Sequence, residues 1–288
     1  MNRPKQQHYV TRSYLEGFLA KGETKLVVYS RGKNSHFRTD PKNVAKISNY
    51  YSVKKEDGTY DDRVEHMLQH TIEDPGMAVL RRLFAGNYSI SKDARIRLAT
   101  LLAIQEYRVP WMREQMEAFT AGMLQRFTQS MLDEPGVAEE AMDEVGLSDQ
   151  KHMLEGMRKA FRDGDVFVTA SPVASLHAMA YVLEPLQHAY FNMRWDVLET
   201  DSVPFVTSDC PVHRYYLPIH PEIPYEGLMD FRVQVRFPLS AKKMLVLRHD
   251  RKRVERLKLL KERGREEEAA KLSPALHLSA RFEPQEQT

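Results

Sequence analysis

The chain has 288 residues, of which 42% are hydrophobic, so it is long and apolar enough to build a sizeable core. Charged residues make up 28% of it, but the net charge is only +2, so any basic surface for nucleic acid or an anionic membrane has to be local. The single cysteine, Cys210, excludes an intrachain disulfide and a cysteine-rich zinc site. Because no stretch approaches the roughly 18 apolar residues of a membrane helix, we expect a cytoplasmic protein without membrane contact.

The first sixty residues predict one short helix and several strands. The segment HYVTRSYLEGF is expected to be helical from about Thr11. Residues 24–30 (TKLVVYS) are rich in β-branched and aromatic side chains and precede turn residues at 31–34, a pattern typical of a β-hairpin. Residues 50–53 (YYSV) predict a short strand, which a turn at 56–58 closes.

From Asp62 onward the apolar residues recur at the helical period. Pro75 predicts a kink or junction in the first helix, and Ser91 is expected to start a second long helix that bends at Val109–Pro110. Residues 132–148 are acidic and small, which predicts a solvated loop or insert with a short helix. Further helices are expected up to Tyr190, so that residues 62–191 form a helical middle.

After Asn192 the period returns to two, which predicts neighbouring strands at 194–199, 204–207, 233–238 and 244–248. A charged helix is expected from Asp250 to about Lys271, followed by a loose tail at 273–288. These elements predict an α+β fold that is predominantly helical, with a small antiparallel sheet built from N-terminal and C-terminal strands. We expect a single domain over residues 1–272.

The N-terminal segment is the first candidate for a functional site. In a helix that starts at Thr11, Arg12 and Glu16 form an i,i+4 pair, while Tyr14 faces the core. His8 is then expected to be an acid–base group, with Arg12 as an anion clamp and Tyr14 as a further substrate-binding residue. The alternative is structural: His8 only caps the helix, and Arg12 makes a surface ion pair.

The loop Pro204–Pro211 is the second candidate. It brings Thr207, Ser208 and Asp209 directly after an expected strand, and turn residues of this kind often line the rim of a site. We expect Thr207 and Ser208 to bind substrate and Asp209 to act in catalysis. The alternative is that Ser208 and Asp209 only hydrogen-bond to their own turn. Cys210 is a poor nucleophile, because the neighbouring carboxylate raises the pKa of its thiol.

Polar residues at helical spacing form a third group. Glu65, Gln69 and Glu73 follow at i, i+4 and i+8, so they face either a common cavity or solvent, and Glu73 is the catalytic candidate among them. Gln105 lies among apolar residues, where a polar side chain needs a buried partner. With Arg108 it is expected to bind substrate, unless it only bonds to backbone.

Six short segments occur in an order that resembles a known family. The segments are HYVTRSYLEGFL, LVVYSR, NYYSV, the helical QEYRVP of Gln105–Pro110, PFVTSDCPV, and the FPLS of Phe237–Ser240. Over about residues 7–248 this ordered set resembles the domain of unknown function family 4238, although no single segment is diagnostic. Thr11 stands where the family has proline, and Cys210 stands where it has asparagine.

The family brings no settled activity, so the resemblance supports the fold and the site rather than a reaction. It implies only a bacterial context that is often linked to mobile elements or defence. Our first hypothesis is a hydrolase that cleaves phosphodiesters, in which His8 is the acid or base. Arg12 and Arg108 then hold phosphate. Asp209 with Glu73 orients water or a divalent cation such as Mg²⁺.

The second hypothesis is a module without catalysis that binds nucleic acid or protein through the basic helix expected at 250–271. His66 and His70 are spaced i,i+4, but two histidines do not define a zinc site, and the metal ligands stay open. Glycine-rich phosphate loops and nucleophile elbows are absent from the sequence. The sequence does not specify the oligomeric state.

Overall fold

The computed structural model describes residues 6–170, 172–216, 227–265, 268 and 279–282. These residues form an α+β protein, as the sequence predicts. Residue contacts divide the chain into two compact units, Met1–Val109 with Met179–Thr288 (the main unit) and Pro110–Ala178 (the helical unit). Most of the tail expected to be loose lies outside the described residues, but Ser279–Phe282 is a strand.

The helices follow the predicted order along the chain. The α-helices are α1 (Arg12–Leu15), α2 (Arg63–Met67), α3 (Asp74–Phe84), α4 (Lys92–Tyr107), α5 (Pro110–Asp133), α6 (Val137–Glu144), α7 (Leu154–Asp163), α8 (Pro172–Asn192) and α9 (Arg251–Glu262). Short 3₁₀ turns cover Glu16–Phe18, Pro41–Asn43, Ser148–Met153 and Gly227–Met229, and a π-helix covers Leu68–Glu73.

The N-terminal strands pair with one another in two-stranded sheets, and the C-terminal strands form a sheet of their own. The N-terminal pairs are β1 (Gln6–His8) with β4 (Lys46–Ser48), β2 (Leu26–Ser30) with β3 (Ser35–Thr39), and β5 (Val53–Lys54) with β6 (Tyr60–Asp61). The C-terminal strands are β7 (Arg194–Glu199), β8 (His213–Tyr216), β9 (Val233–Ser240), β10 (Lys243–Arg248) and β11 (Ser279–Phe282), in the spatial order β11-β7-β10-β9-β8.

This larger sheet is antiparallel apart from β11, which runs parallel to β7. The sequence predicts a strand at Pro204–Thr207, and this prediction is wrong, because the segment forms no strand. Among the described residues, one backbone bond joins it to the turn between β9 and β10, from the Phe205 nitrogen to the Ala241 oxygen at 2.9 Å. Pro204 has no N–H to extend such pairing.

The junction that the sequence predicts at Pro75 takes the form of a π-helix just before that proline. Proline cannot donate the backbone hydrogen bond to Thr71, and its ring opposes a regular α-turn there. The helix instead takes the wider π-helical form over Leu68–Glu73 and then continues as α3. Segments of this kind often occur at functional sites.

Helices α3 and α4 form a hairpin that packs closely in the main unit. A Cβ built on Gly76 would lie 2.6 Å from the Leu101 Cβ, so a glycine is needed at this crossing. The close approach aligns the start of α3, next to Glu73, with the end of α4, next to Arg108. Buried apolar residues of α3 and α4, among them Leu80 and Leu98, belong to the core.

The helical unit has a small core of its own, formed by Leu132, Ala138, Leu154 and Phe161. It contains the acidic segment at 132–148, where α6 is the short helix that the sequence predicts. No helix among the described residues is long and apolar enough to cross a membrane.

Helix α9 ends earlier than expected, at Glu262 rather than near Lys271. Gly264 adopts a φ of +66°, and the Arg265 nitrogen donates to the Leu260 oxygen at 2.9 Å, which is a glycine-based helix end. Residues 269–271 lie outside the described part of the chain.

We expect the substitution Gly76→Ala to lower the free energy of unfolding by about 1–3 kcal/mol, because the added methyl group overpacks the contact with Leu101. Gly122→Ala is the matched control, since a Cβ at Gly122 meets nothing within 4 Å and alanine favours the interior of α5. Urea denaturation measures both. Equal stability of the two variants would show that the close helix crossing does not constrain Gly76.

Candidate functional site

Arg108 occupies the point where α4 ends. The following Val109-Pro110 disfavours further α-helix, so the carbonyl of Arg108 is left without a helical partner. The Tyr50 hydroxyl donates to this carbonyl at 2.8 Å. The Arg108 side chain is fully buried, and its Nη1 donates to Glu73 Oε1 at 2.5 Å.

Thr11 completes a closed ring of hydrogen bonds with this ion pair. Arg108 Nη2 donates to Thr11 Oγ1 at 2.7 Å, and Thr11 Oγ1 donates to Glu73 Oε2 at 3.1 Å. Both carboxylate oxygens of Glu73 therefore have fixed partners. Thr11 makes no hydrogen bond that caps α1, because its hydroxyl is engaged in this ring.

Gln105 ties the ring to the N-terminal segment. Its Oε1 accepts from Arg108 Nη2 at 2.6 Å, and its Nε2 donates to the Tyr9 oxygen at 2.8 Å. Burial is the largest single effect and lowers the pKa of Arg108, but the Glu73 carboxylate together with Tyr51 and Tyr50 outweighs it, so the pKa is raised overall. Arg108 is therefore a permanent internal cation whose role is to hold Glu73 and Thr11.

A cleft of about 440 Å³ lies between the N-terminal segment and the helix that contains the π-turn. Glu65, Gln69 and Glu73, which the sequence places at i, i+4 and i+8, all face this cleft. The cleft is lined by Gln6, His8, Thr11, Arg12, Ser13, Glu16, Tyr51, Glu65, Leu68, Gln69, Glu73 and Asp74.

His8 is the group in the cleft best suited to accept a proton. Its Nδ1 is buried and has no hydrogen-bond partner among the described residues. Burial lowers the pKa of His8 from its ordinary value of 6.5, and the charges of Lys46 and Arg108 lower it further, against the opposing effects of Glu73 and the Val44 backbone. The imidazole is therefore neutral at neutral pH.

The N-terminal segment presents a different set of side chains to the loop at 204–211. The Tyr14 hydroxyl lies 2.8 Å from Thr207 Oγ1 and donates to the Pro238 oxygen at 2.8 Å. Burial raises the pKa of Tyr14, so its phenol stays protonated. Asp209 raises the pKa of Tyr9 in addition to the effect of burial, which places the Asp209 carboxylate near that ring.

The predicted site residues accordingly fall into three places. His8, Arg12 and Glu73 line the cleft. Gln105 and Arg108 lie behind it in the buried ring, and Tyr14 is buried against the loop. Thr207, Ser208 and Asp209 do not line the cleft.

Two of the predicted residues have local partners that match the structural alternatives. Ser208 Oγ accepts from the Cys210 nitrogen at 3.1 Å, within its own turn. Arg12 Nε donates to Glu16 Oε1 at 2.8 Å on the surface. Burial and Asp209 raise the pKa of Cys210, so its thiol stays protonated.

Thr11 and Gln7 are site residues that sequence reasoning did not single out. Gln7 is buried; its Nε2 donates to Ser52 Oγ at 2.9 Å and to Glu65 Oε2 at 3.0 Å. Thr11 was marked only as a departure from the pattern that the resemblance implies. Gln7 carried no signal, because glutamine side chains are mostly exposed to water.

No group of three or more His, Cys, Asp or Glu side chains among the described residues is arranged to hold a metal ion. His70 Nδ1 instead lies 3.3 Å from Asp74 Oδ2 at the exposed rim.

Comparison with known families now places the chain. The sequence profile of a family described as "Protein of unknown function (DUF4238)" matches residues 6–272, nearly the whole chain. The protein belongs to this family, which confirms the resemblance seen in the ordered segments. No curated protein and no solved structure matches the chain.

We expect Arg108→Met to lower the free energy of unfolding by about 3–5 kcal/mol, because it leaves the Glu73 carboxylate without its buried partner. The double variant Arg108→Met with Glu73→Gln should lose less than the sum of the two single losses, since it buries no unpaired charge. Urea denaturation of the four proteins gives this coupling. Strictly additive losses would contradict a direct dependence of Glu73 on Arg108.

The depressed pKa of His8 predicts a pH dependence of stability. Since folding lowers this pKa below 6.5, the unfolded chain binds the proton more tightly. The contribution of His8 to stability is thus fully present above about pH 6.5 and is lost as the pH falls toward the folded-state pKa. We expect wild type to lose more stability than His8→Gln between about pH 7.5 and about pH 5. Urea denaturation at both pH values measures this, and parallel losses would rule it out.

Proposed function

We propose that the cleft is the functional site and that His8 is its acid–base group. The observation that carries the proposal is a neutral, partly buried imidazole that lines the same cleft as a carboxylate held at both oxygens, and whose buried Nδ1 has no hydrogen-bond partner among the described residues. A histidine with a pKa below 6.5 is unprotonated near neutral pH and accepts a proton from water. The fixed position of Glu73 supplies the pre-organisation that such a site requires.

Phosphodiester hydrolysis is the reaction that we propose. His8 takes a proton from water, the water oxygen bonds to phosphorus, and the bond from phosphorus to the leaving oxygen breaks while solvent protonates that oxygen. Arg12 lies on the cleft wall and is exposed, so it is the phosphate-binding residue of the proposal. Nuclease activity of this kind agrees with a toxin-like or defence role.

The charge of the cleft adds a condition to this proposal. The carboxylates of Glu16, Glu65, Glu73 and Asp74 line the cleft. They outnumber the cations Arg12, on its wall, and Arg108, buried against Glu73, so a polyanion is repelled unless a cation accompanies it. Mg²⁺ commonly binds through one or two carboxylates together with substrate phosphates. Cleavage should therefore depend on a divalent cation that arrives with the substrate.

We expect the wild-type protein to cleave labelled single-stranded RNA or DNA with Mg²⁺ and to lose activity with a chelator. His8→Gln should reduce the rate by on the order of 10²–10⁴-fold, because the proton acceptor is removed. His66→Gln is the matched control, since His66 is exposed and does not line the cleft. Gel assays of proteins purified in parallel measure the rates. Equal rates for wild type and His8→Gln, or no cleavage by wild type, would refute the proposed reaction.

The second candidate is binding without catalysis through α9. It is favoured by the exposed cations Lys252, Arg256 and Arg263 on and just after a helix that Leu260 anchors in the core. In that case the same assays show salt-sensitive binding of the nucleic acid and no cleavage of it.

A further inference from the structure

The β2–β3 hairpin presents one face of its ribbon to solvent. In its register Val27 pairs with Arg38 and Tyr29 pairs with His36, so these four side chains share a face. All four are exposed, and Tyr29 is 78% exposed. On the opposite face, Leu26, Val28 and Ser30 of β2 are partly buried, whereas Phe37 of β3 is 49% exposed. The face that carries Tyr29 is the free face of the hairpin.

The hairpin concentrates positive charge that the whole chain lacks. Over residues 20–39 there are five basic side chains and one acidic side chain, whereas the net charge of the chain is only +2. Glu23 is paired with Arg38. The other four cations are exposed and form no ion pair with any described residue: Lys21, Lys25, Arg31 and Lys33.

The free face also carries aromatic rings that cover no core. The Tyr29 ring lies 5.6 Å from the His36 ring, with an angle of 40° between their planes. A large aromatic side chain that remains mostly in water gives up the stabilisation that burial would bring. Aromatic faces flanked by cations form the usual surface on which bases stack while phosphates lie along the basic side chains.

We propose that the β2–β3 hairpin binds single-stranded nucleic acid, with a base stacked on Tyr29 and the backbone phosphates against Arg31 and Lys33. Stacking requires an unpaired base, which selects single strands over duplexes. An anionic membrane suits the hairpin less well, because the tip at Arg31–Asn34 is polar while the exposed Val27 and Tyr29 lie in the middle of the ribbon.

The base of the hairpin leads toward the cleft. Glu23 and Thr24 line a second cavity of about 410 Å³, together with Asp40, Pro41 and Lys42. The remaining walls of this cavity include Arg12 and Glu16, which also line the cleft that contains His8. A nucleic-acid strand that leaves the base of the hairpin would therefore meet the two residues that both cavities share, Arg12 and Glu16. Binding by the hairpin does not require the proposed reaction.

The test is fluorescence anisotropy of the full chain with a fluorescein-labelled, mixed-sequence oligonucleotide of about 20 nucleotides, longer than the roughly 4–16 nucleotides that a single-strand site covers. The single strand, as RNA and as DNA, is compared with the duplex over a range of salt. The hairpin variants are Tyr29→Ala and the double variant Arg31→Ala with Lys33→Ala. The matched controls lie on the β5–β6 hairpin, where Tyr60, Lys54 and Lys55 are likewise exposed: Tyr60→Ala, and Lys54→Ala with Lys55→Ala.

We expect Tyr29→Ala to weaken single-strand binding about ten-fold or more, because one stacked base is lost. The double variant should weaken binding and reduce the slope of log affinity against log salt by about 1.4, since each lost phosphate contact on a single strand accounts for about 0.7. The β5–β6 controls should bind like wild type. All substituted side chains are exposed, so thermal unfolding should be unchanged, and this is measured in parallel.

Three results would overturn the proposal. The first is that Tyr29→Ala binds the single strand as wild type does. The second is that Arg256→Ala with Arg263→Ala, on α9, abolishes binding while the hairpin variants retain it. The third is that vesicles of phosphatidylserine and phosphatidylcholine bind in a hairpin-dependent manner while no oligonucleotide does. Loss of cleavage with intact hairpin-dependent binding would refute only the proposed reaction in the cleft.

Discussion

The buried ion pair between Arg108 and Glu73 is the interaction on which the arrangement of the cleft depends. A guanidinium without solvent contact is tolerated only when anions and acceptors surround it, and here a carboxylate, a hydroxyl and an amide do so. These partners come from the N-terminal segment, the π-helix and the end of α4. Because all three segments must be in place to bind the two Nη atoms of one cation, Arg108 couples the positions of segments that are distant in sequence.

The same coupling explains the local irregularities of the fold. The π-helix before Pro75 and the glycine at position 76 bring Glu73 and Arg108 together at one end of the α3–α4 hairpin. The Thr11 hydroxyl bridges the two charges. A proline there has no hydroxyl and cannot form this bridge. These departures from regular structure meet in one ring of hydrogen bonds.

The sequence predicted the α+β class, the β2–β3 hairpin and most of the helices, because those features follow from local periodicity and turn residues. It also identified Gln105 as a residue in need of a buried partner, and that partner is Arg108. It did not predict that Asp209 and Glu73 lie in different surroundings, since nothing local specifies which side of the N-terminal segment each one meets. The strand expected at 204–207 does not form, since local alternation does not provide a neighbouring strand for that segment to pair with.

The small net charge of the chain required any basic surface to be local, and sequence reasoning assigned that surface to the helix after residue 250. The hairpin was less apparent, because exposed and partly buried positions alternate along β2 whereas most of β3 is exposed. Alternation alone does not say which residues of two strands share a face; the pairing of Tyr29 with His36 does.

Residues 110–178 carry 12 acidic and 6 basic side chains, so the near-neutral total conceals opposite charges on different parts of the chain. In the functions that we propose, the basic hairpin holds a polyanion and the acidic cleft acts on it, two tasks that favour opposite signs of charge.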